Sequence, residues 1–247
     1  MVIEEPRPKK GITWVTYALI IICFIVFILT LDPSGTMINE SNLFVQQTWF
    51  VPANFFQGKD LYTLVSATFL HGDWMHIISN MYFLWIFGDD CEDIMGHTTF
   101  IVFYLFCAVV ASVFFSLVTA AIAAITNNWL LLANPCIGAS GAIFGVMAAY
   151  AIFLPNRTLM IPGMGRVTAK IYIIFYAIME TLYVIFATGD NVAHAAHVGG
   201  FLAGVFFAFA FKKLFQEKFQ HAKIDIKPAG LKASLKKRFG TETKTEE

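Results

Sequence analysis

Long apolar runs recur along the chain, and they limit most strongly what it can fold into. Several stretches have about 18 or more mostly apolar residues, and each is long enough to cross a bilayer of about 30 Å. Of the 247 residues, 57% are hydrophobic and only 14% are charged, which is not the composition of an ordinary soluble domain. The pattern predicts an all-α polytopic membrane protein.

Six segments are predicted to span the membrane. They lie at 12–31, 74–87, 98–125, 140–154, 171–188 and 192–214. An even number puts both termini on one side, and every Lys and Arg except Lys59 then lies on that side, as is typical of cytoplasmic segments. We therefore expect a cytoplasmic N-terminal tail at 1–12, a six-helix membrane core at 13–214 and a basic cytoplasmic C-terminal tail at 215–247.

Net charge and cysteine spacing narrow the classes of function. The formal net charge is zero, so no global field favours nucleic acid as a partner. The four cysteines have neither metal-type spacing nor the pattern of a disulfide framework, and we expect them to be packing residues. The cysteines are Cys23, Cys91, Cys107 and Cys136.

One short stretch combines a nucleophile with residues that lack side chains. Gly138-Ala139-Ser140-Gly141 opens the fourth apolar segment, and Gly141 and Gly145 lie on one helix face that a neighbour can approach closely. The segment 140–154 would be only about 22 Å long, shorter than the hydrocarbon layer. Since its far end is marked by a proline and an arginine, Ser140 should lie below the outer surface, at the floor of a water-filled cavity.

A second small-residue face occurs far downstream, next to a histidine. His197 precedes Gly200 and Gly204, which again share one helix face. If the two glycine faces pack together, Ser140 and His197 meet near the same end of their helices, as a nucleophile and its base. The alternative is that both motifs only pack helices and that their polar residues have no chemical role.

Three further residues fit the same site. His76 and Asn80 are spaced i, i+4 on the second helix and, together with the backbone N–H of Ser140, could donate to a developing oxyanion. The alternative for this pair is a hydrogen bond that only ties helices together. Phe144, one turn after Ser140, could stack under the imidazole of His197.

Two other residues predicted to lie inside the membrane are ionisable, His194 and Glu180. His194 lies one turn before His197 and is an alternative base, but the glycine spacing favours His197. The histidine pair raises the possibility of a metal, yet no carboxylate or cysteine is expected to complete a site. Glu180, in the middle of the fifth helix, is assigned a structural role, and no metal or cofactor is expected.

These motifs, taken in order, resemble the rhomboid family of intramembrane serine proteases. The likeness includes Gly138 to Gly141, His197 before its glycines, and the series His71, His76 and Asn80. It implies a six-helix rhomboid-like bundle, a Ser140–His197 dyad, an oxyanion site of His76 and Asn80, and a supporting place for His71. One departure is in the first loop, where Asp60 is followed by Thr63 although the family usually has an arginine at that place.

The resemblance implies a serine endopeptidase that cleaves transmembrane segments of other membrane proteins near the outer face. Its partners would be such substrates and the lipid bilayer, with the fifth helix and the following loop as a gate that few polar residues hold in place. The alternative is a catalytically silent relative that binds or escorts membrane clients, although such a protein is expected to lose Ser140 or His197. A transporter would show internal repeats, and none is found. The default location is a prokaryotic cell membrane.

Overall fold

The computed structural model describes residues 3–4, 11–161, 165–186, 193–210 and 212, and this part of the chain is mostly helical. Its α-helices are α1 (Trp14–Leu29), α2 (Leu43–Thr48), α3 (Pro52–Phe56), α4 (Thr63–Ser66), α5 (Trp74–Phe83), α6 (Asp89–Met95), α7 (His97–Thr126), α8 (Ser140–Phe153), α9 (Ala169–Phe186) and α10 (His194–Ala210). Short 3₁₀ turns lie at Ala67–Phe69 and Trp129–Ala133, and a π-helical turn at Leu84–Gly88 continues α5.

The six predicted apolar segments correspond to α1, α5 with its π-helical turn, α7, α8, α9 and α10. Among the described residues, α7 and α9 are long and apolar enough to cross a membrane, by length and composition alone. Helices α1, α8 and α10 are apolar but shorter. The tail 215–247 and the connection 187–192 lie outside the described residues.

Helix α8 is the buried centre of the fold. It packs against α10, α7, α9 and the π-helical turn. Every residue from Gly141 to Tyr150 is buried, so the helix has no polar face to turn outward. A helix that is apolar all round is stable only when surrounded, and the small residues of α8 let its neighbours come close. Ser140, the first residue of this helix, is therefore placed by several neighbours at once.

The acidic stretch 89–93 is helical and lies in α6. Asp89, Asp90 and Glu92 are buried. The Glu92 carboxylate accepts hydrogen bonds from the backbone N–H groups of Val15 (3.0 Å) and Thr16 (2.7 Å). These N–H groups belong to the first turn of α1, where donors have no partner within the helix and a negative charge is favourable. The Glu92 carboxylate thus caps α1 from a distant part of the chain.

A small antiparallel sheet is a departure from the all-α prediction. Strand β1 (Ile3–Glu4) pairs with β2 (Thr158–Ile161), which pairs with β3 (Gly165–Thr168). The strands β2 and β3 form the connection between α8 and α9. The predicted N-terminal tail 1–12 therefore contributes one strand to the α8–α9 connection.

The long connection after α1 contains the short helices α2 and α3. Large apolar side chains on it are exposed, among them Leu43, Phe44 and Phe56. Asp60, which lacks the arginine partner expected from the resemblance, accepts a hydrogen bond from the Asn54 amide at 3.0 Å. The Asn54 amide therefore contacts the Asp60 carboxylate, for which the resemblance predicts an arginine partner.

Candidate active site

Ser140 begins α8 two residues after Gly138, whose backbone conformation favours glycine. Gly138 has φ = +119°, which L side chains rarely adopt. A Cβ at this position would lie 2.7 Å from Nε2 of His76. The Gly138 N–H donates to the carbonyl of Ala67 at 2.9 Å, which anchors the loop. Gly138, two residues before Ser140, therefore lies directly against α5, the helix that carries His76 and Asn80.

The glycine faces of α8 and α10 pack backbone to backbone. A Cβ on Gly200 would overlap the carbonyl oxygen of Gly141. A Cβ on Gly204 would overlap the carbonyl oxygen of Gly145 in the same way. The predicted approach of the two small-residue faces is present, and it brings the first turns of both helices together.

Ser140 and His197 meet at the end of this glycine contact. Nε2 of His197 lies 2.8 Å from Oγ of Ser140, within hydrogen-bond distance. The Phe144 ring stacks on the His197 imidazole, with centroids 4.5 Å apart and planes 11° from parallel. His197 is buried and Ser140 is half-buried. The imidazole is thus held on one face by an aromatic ring and at one edge by the serine.

Glu180 contacts the other edge of the same imidazole. Its Oε2 lies 2.7 Å from Nδ1 of His197, and Glu180 is buried. A carboxylate accepting from Nδ1–H leaves Nε2 unprotonated in the neutral ring, which is the tautomer that can take a proton from Ser140. Ser140, His197 and Glu180 therefore form a continuous hydrogen-bonded row, in which Glu180, assigned a structural role from the sequence, contacts the imidazole beside Ser140.

His194 also turns towards Glu180. Its Nδ1 lies 2.6 Å from the same oxygen, Oε2, and the Tyr183 ring stacks on it at 4.8 Å. The expectation that no carboxylate would complete a metal set was wrong, because the ligand atoms of Glu180, His194 and His197 all lie within 4.8 Å of one another. The polar contacts between α9 and α10 also contradict the premise that few polar residues hold the fifth helix in place.

His76 and Asn80 lie next to the backbone that precedes Ser140. Nδ1 of His76 accepts from the Gly72 N–H at 3.3 Å, so the neutral ring carries its proton on Nε2, which faces Gly138. A Cβ on Gly138 would lie 3.7 Å from Nδ2 of Asn80. This buried nitrogen has no hydrogen-bond partner within the described residues. Two N–H donors are therefore available beside Ser140.

His71 packs against the ring of His76. It is fully buried, and its ring meets the His76 ring edge to face with centroids 5.2 Å apart. Asp73 accepts from the His76 backbone N–H at 2.9 Å and caps α5. The orientation of His76 is thus determined by its ring contact, its cap and the bond from Gly72.

A small cavity opens beside Ser140. Small side chains of α7, including Ala108 and Ala111, form one wall, and the Thr68 and Ser112 hydroxyls add polar groups. The Ser140 hydroxyl therefore faces a space that two further hydroxyl groups also line.

Comparison with known proteins places this arrangement in a family. The family model of the rhomboid domain matches residues 58–214, which include every candidate residue above. The chain belongs to the rhomboid family. The resemblance predicted from the motifs is confirmed, and with it membership of a membrane-associated family.

Three relatives illustrate the range of this similarity. Rhomboid-like protease 3 of Toxoplasma gondii is 27% identical over 196 residues, 79% of this chain and 67% of its own length. The mitochondrial Rhomboid protein 1 of Saccharomyces cerevisiae is 26% identical over 64% of this chain and 44% of its own length. The mitochondrial presenilin-associated rhomboid-like protein of Bos taurus is 31% identical over 70% and 47%. The matches thus span less than half of the last two relatives, and their mitochondrial names give no support to a prokaryotic location.

Proposed function

We propose that this rhomboid is an intramembrane serine endopeptidase that cleaves transmembrane segments of other membrane proteins near the outer face. The observation that carries the proposal is the row in which Ser140 Oγ, the His197 imidazole and Glu180 Oε2 are joined at 2.8 and 2.7 Å. A protein that only binds clients does not need a serine, a histidine and a carboxylate in this order.

The membrane arrangement consists of six crossings with both termini in the cytoplasm. Helices α7 and α9 support six crossings because they are long and apolar enough to cross a membrane. Helices α1, α8 and α10 are shorter, and only their apolar composition supports a crossing. The second crossing is α5 continued by its π-helical turn. The Lys and Arg residues, all but Lys59, then lie on the cytoplasmic side. In this arrangement Ser140 lies towards the outer side.

In the first chemical step, Oγ of Ser140 attacks the carbonyl carbon of the scissile peptide bond while its proton passes to Nε2 of His197. Glu180 accepts from Nδ1–H, holds the ring in the required tautomer and stabilises the imidazolium. The imidazolium then returns the proton to the leaving amine as the C–N bond breaks. Water repeats the sequence on the acyl-enzyme, releasing the new carboxylate and restoring the Ser140 hydroxyl.

The oxyanion that develops on the carbonyl is stabilised by hydrogen-bond donors on the side of α5. His76 offers Nε2–H, Asn80 offers Nδ2–H, and the backbone N–H of Ser140 is free of an intrahelical partner at the first turn of α8. Loss of one such donor commonly lowers kcat by about 10²- to 10³-fold. Substrates are helices that unwind easily, because an intact helix hides its carbonyl groups in hydrogen bonds.

Movement of α9 is coupled to this chemistry. Glu180 hydrogen-bonds His194 and His197 of α10, so displacement of α9 as a gate removes the carboxylate from Nδ1 of His197. Substrate entry with α9 open and catalysis with α9 closed are then separate states of the enzyme.

Cleavage of a labelled single-span peptide, reconstituted in vesicles with the purified protein, tests the proposal. The wild type is expected to cut the peptide, and Ser140→Ala and His197→Ala to leave it intact. Ser112→Ala is the matched control, because Ser112 lines the same cavity but lies outside the hydrogen-bonded row. Equal cleavage by all four proteins would assign the activity to something other than Ser140.

A further inference from the structure

Glu180 has more histidine partners than a hydrolytic triad requires. One imidazole, that of His197, is enough to orient the base, yet Oε2 of Glu180 also lies 2.6 Å from Nδ1 of His194. The two histidines are spaced i, i+3 and so share one face of α10. All three side chains are largely buried, with relative exposures of 6% for Glu180, 11% for His194 and 10% for His197.

Two imidazole nitrogens and one carboxylate oxygen form a donor set that Zn²⁺ takes in proteins, with a water molecule as fourth ligand. Bond lengths of about 2.0–2.2 Å to a tetrahedral ion put neighbouring donors about 3.3 Å apart. The present Nδ1–Oε2 distances of 2.6 and 2.7 Å need to widen by less than about 1 Å to reach this geometry.

We propose that Glu180, His194 and His197 form an inhibitory site for Zn²⁺ or a similar divalent cation. The ion binds Nδ1 of both rings and the carboxylate, replacing the two hydrogen bonds that Glu180 accepts. The proton of the neutral His197 ring then lies on Nε2, and no proton is gained or lost by that ring. Nε2 becomes a donor towards Ser140 and cannot take the serine proton. Metal binding and base catalysis therefore exclude each other.

The binding part of this proposal is independent of any activity, whereas the inhibition part rests on the proposed protease function. Cobalt reports the binding directly, because a tetrahedral Co²⁺ site with imidazole and carboxylate ligands absorbs visible light. Four metal-free full-length proteins in detergent are titrated with Co²⁺. They are the wild type, Ser140→Ala, Glu180→Gln and His194→Asn. We expect one equivalent to bind the wild type and Ser140→Ala, and at least tenfold weaker binding to the other two.

His97→Asn is the matched control for this titration. His97 forms a pair with Glu92 at 2.6 Å, as His194 does with Glu180, but its side chain is 46% exposed. Within the described residues, Glu92 and His97 belong to no group of three potential ligands. The variant should therefore bind Co²⁺ as the wild type does. Absence of a tetrahedral spectrum in the wild type, or its equal persistence in His194→Asn, would overturn the site.

The inhibition is then measured by peptide cleavage, with each protein compared with its own metal-free rate. Zn²⁺ is expected to inhibit the wild type, a chelator to restore it, and His194→Asn to need at least tenfold more metal. If the wild type cuts no peptide, the protease function fails and the Co²⁺ titration alone decides the site. If the wild type is active and binds Co²⁺ but Zn²⁺ does not slow it, the inhibitory role is wrong.

Discussion

Helix α10 is held by two neighbours in opposite ways. Towards α8 it presents bare backbone, with Gly200 on Gly141 and Gly204 on Gly145, a contact that we call the glycine seam. Towards α9 it presents two imidazoles to one carboxylate, a contact of Glu180, His194 and His197 that we call the carboxylate seam. The glycine seam sets where Ser140 and His197 lie, whereas the carboxylate seam sets which nitrogen of His197 carries the proton.

The difference predicts how each seam fails. A packed backbone contact cannot accept an added methyl group without separating the helices, so damage there affects the fold. A hydrogen-bonded contact can lose a proton acceptor while its shape is kept, so damage there affects chemistry first. Variants of the two seams should therefore separate stability from catalysis.

The largest effect on stability is expected from Gly200→Ala in the glycine seam. The new Cβ overlaps the Gly141 carbonyl, and overpacking of this kind costs about 1–3 kcal/mol. Thermal unfolding in detergent should show a lower midpoint, with loss of cleavage because Ser140 and His197 move apart. Gly11→Ala is the control, since a Cβ there has nothing within 4 Å. Equal midpoints for both variants would show that the seam does not support the fold.

The largest effect on catalysis without loss of fold is expected from Glu180→Gln in the carboxylate seam. The amide keeps the shape of the side chain, but its NH₂ group can force Nδ1 of His197 to act as acceptor, which is the wrong tautomer. A comparable change in a hydrolytic triad lowers kcat by about 10⁴-fold. We expect a fall of about 10³-fold or more in kcat with little change in KM, measured by peptide cleavage.

Unchanged kcat in Glu180→Gln would reduce Glu180 to a structural contact. A rise in KM alone would place the residue in substrate binding.

Asn80→Ala lies outside both seams and should have the next largest effect. In the proposed mechanism its Nδ2 donates to the developing oxyanion, and loss of one such donor lowers kcat by about 10²- to 10³-fold. Ser79→Ala is the control on the same helix, because the Ser79 hydroxyl bonds only the local carbonyl of His76 in the structure. If the two variants cleave peptide at equal rates, Asn80 is a packing residue.

The smallest effect is expected from Phe144→Leu, which removes a ring from α8 without touching the glycine seam. The Phe144 ring stacks on His197 at 4.5 Å, and such ring pairs are worth about 0.5–1.5 kcal/mol. Peptide cleavage should fall by about two- to tenfold, whereas Phe144→Tyr should keep the wild-type rate. A Leu variant that cleaves as fast as the Tyr variant would show that the ring only fills space.

The two seams also differ in what the sequence could predict. Small residues spaced by four announce a close helix contact, so the meeting of Ser140 and His197 could be predicted, together with the stacked Phe144. The role of Glu180 could not be predicted with the same confidence, because it depends on how α9 is rotated against α10. One signal was available: an acid in the middle of α9 and two histidines at the start of α10 lie on consecutive apolar helices, which can pack against each other.

The sheet and the acidic helix were missed for local reasons. Strands β2 and β3 have four residues each, and β1 has two, too short for a clear alternating pattern. The acidic residues of α6 are typical of an exposed turn, yet three of them are buried. Glu92 accepts hydrogen bonds from the first turn of α1, which is far away in the sequence. A hydrogen bond between a side chain and the backbone of a helix far away in the sequence produces no local residue pattern that could predict it.

Reaction with a fluorophosphonate, followed by peptide mass spectrometry, tests most directly the claim that Ser140 is an activated nucleophile. The reagent should attach to Oγ of Ser140 in the wild type and in Ser112→Ala, and the adduct should be absent from Ser140→Ala and His197→Ala. An adduct on a different residue, or labelling of Ser140→Ala at the wild-type rate, would contradict the account.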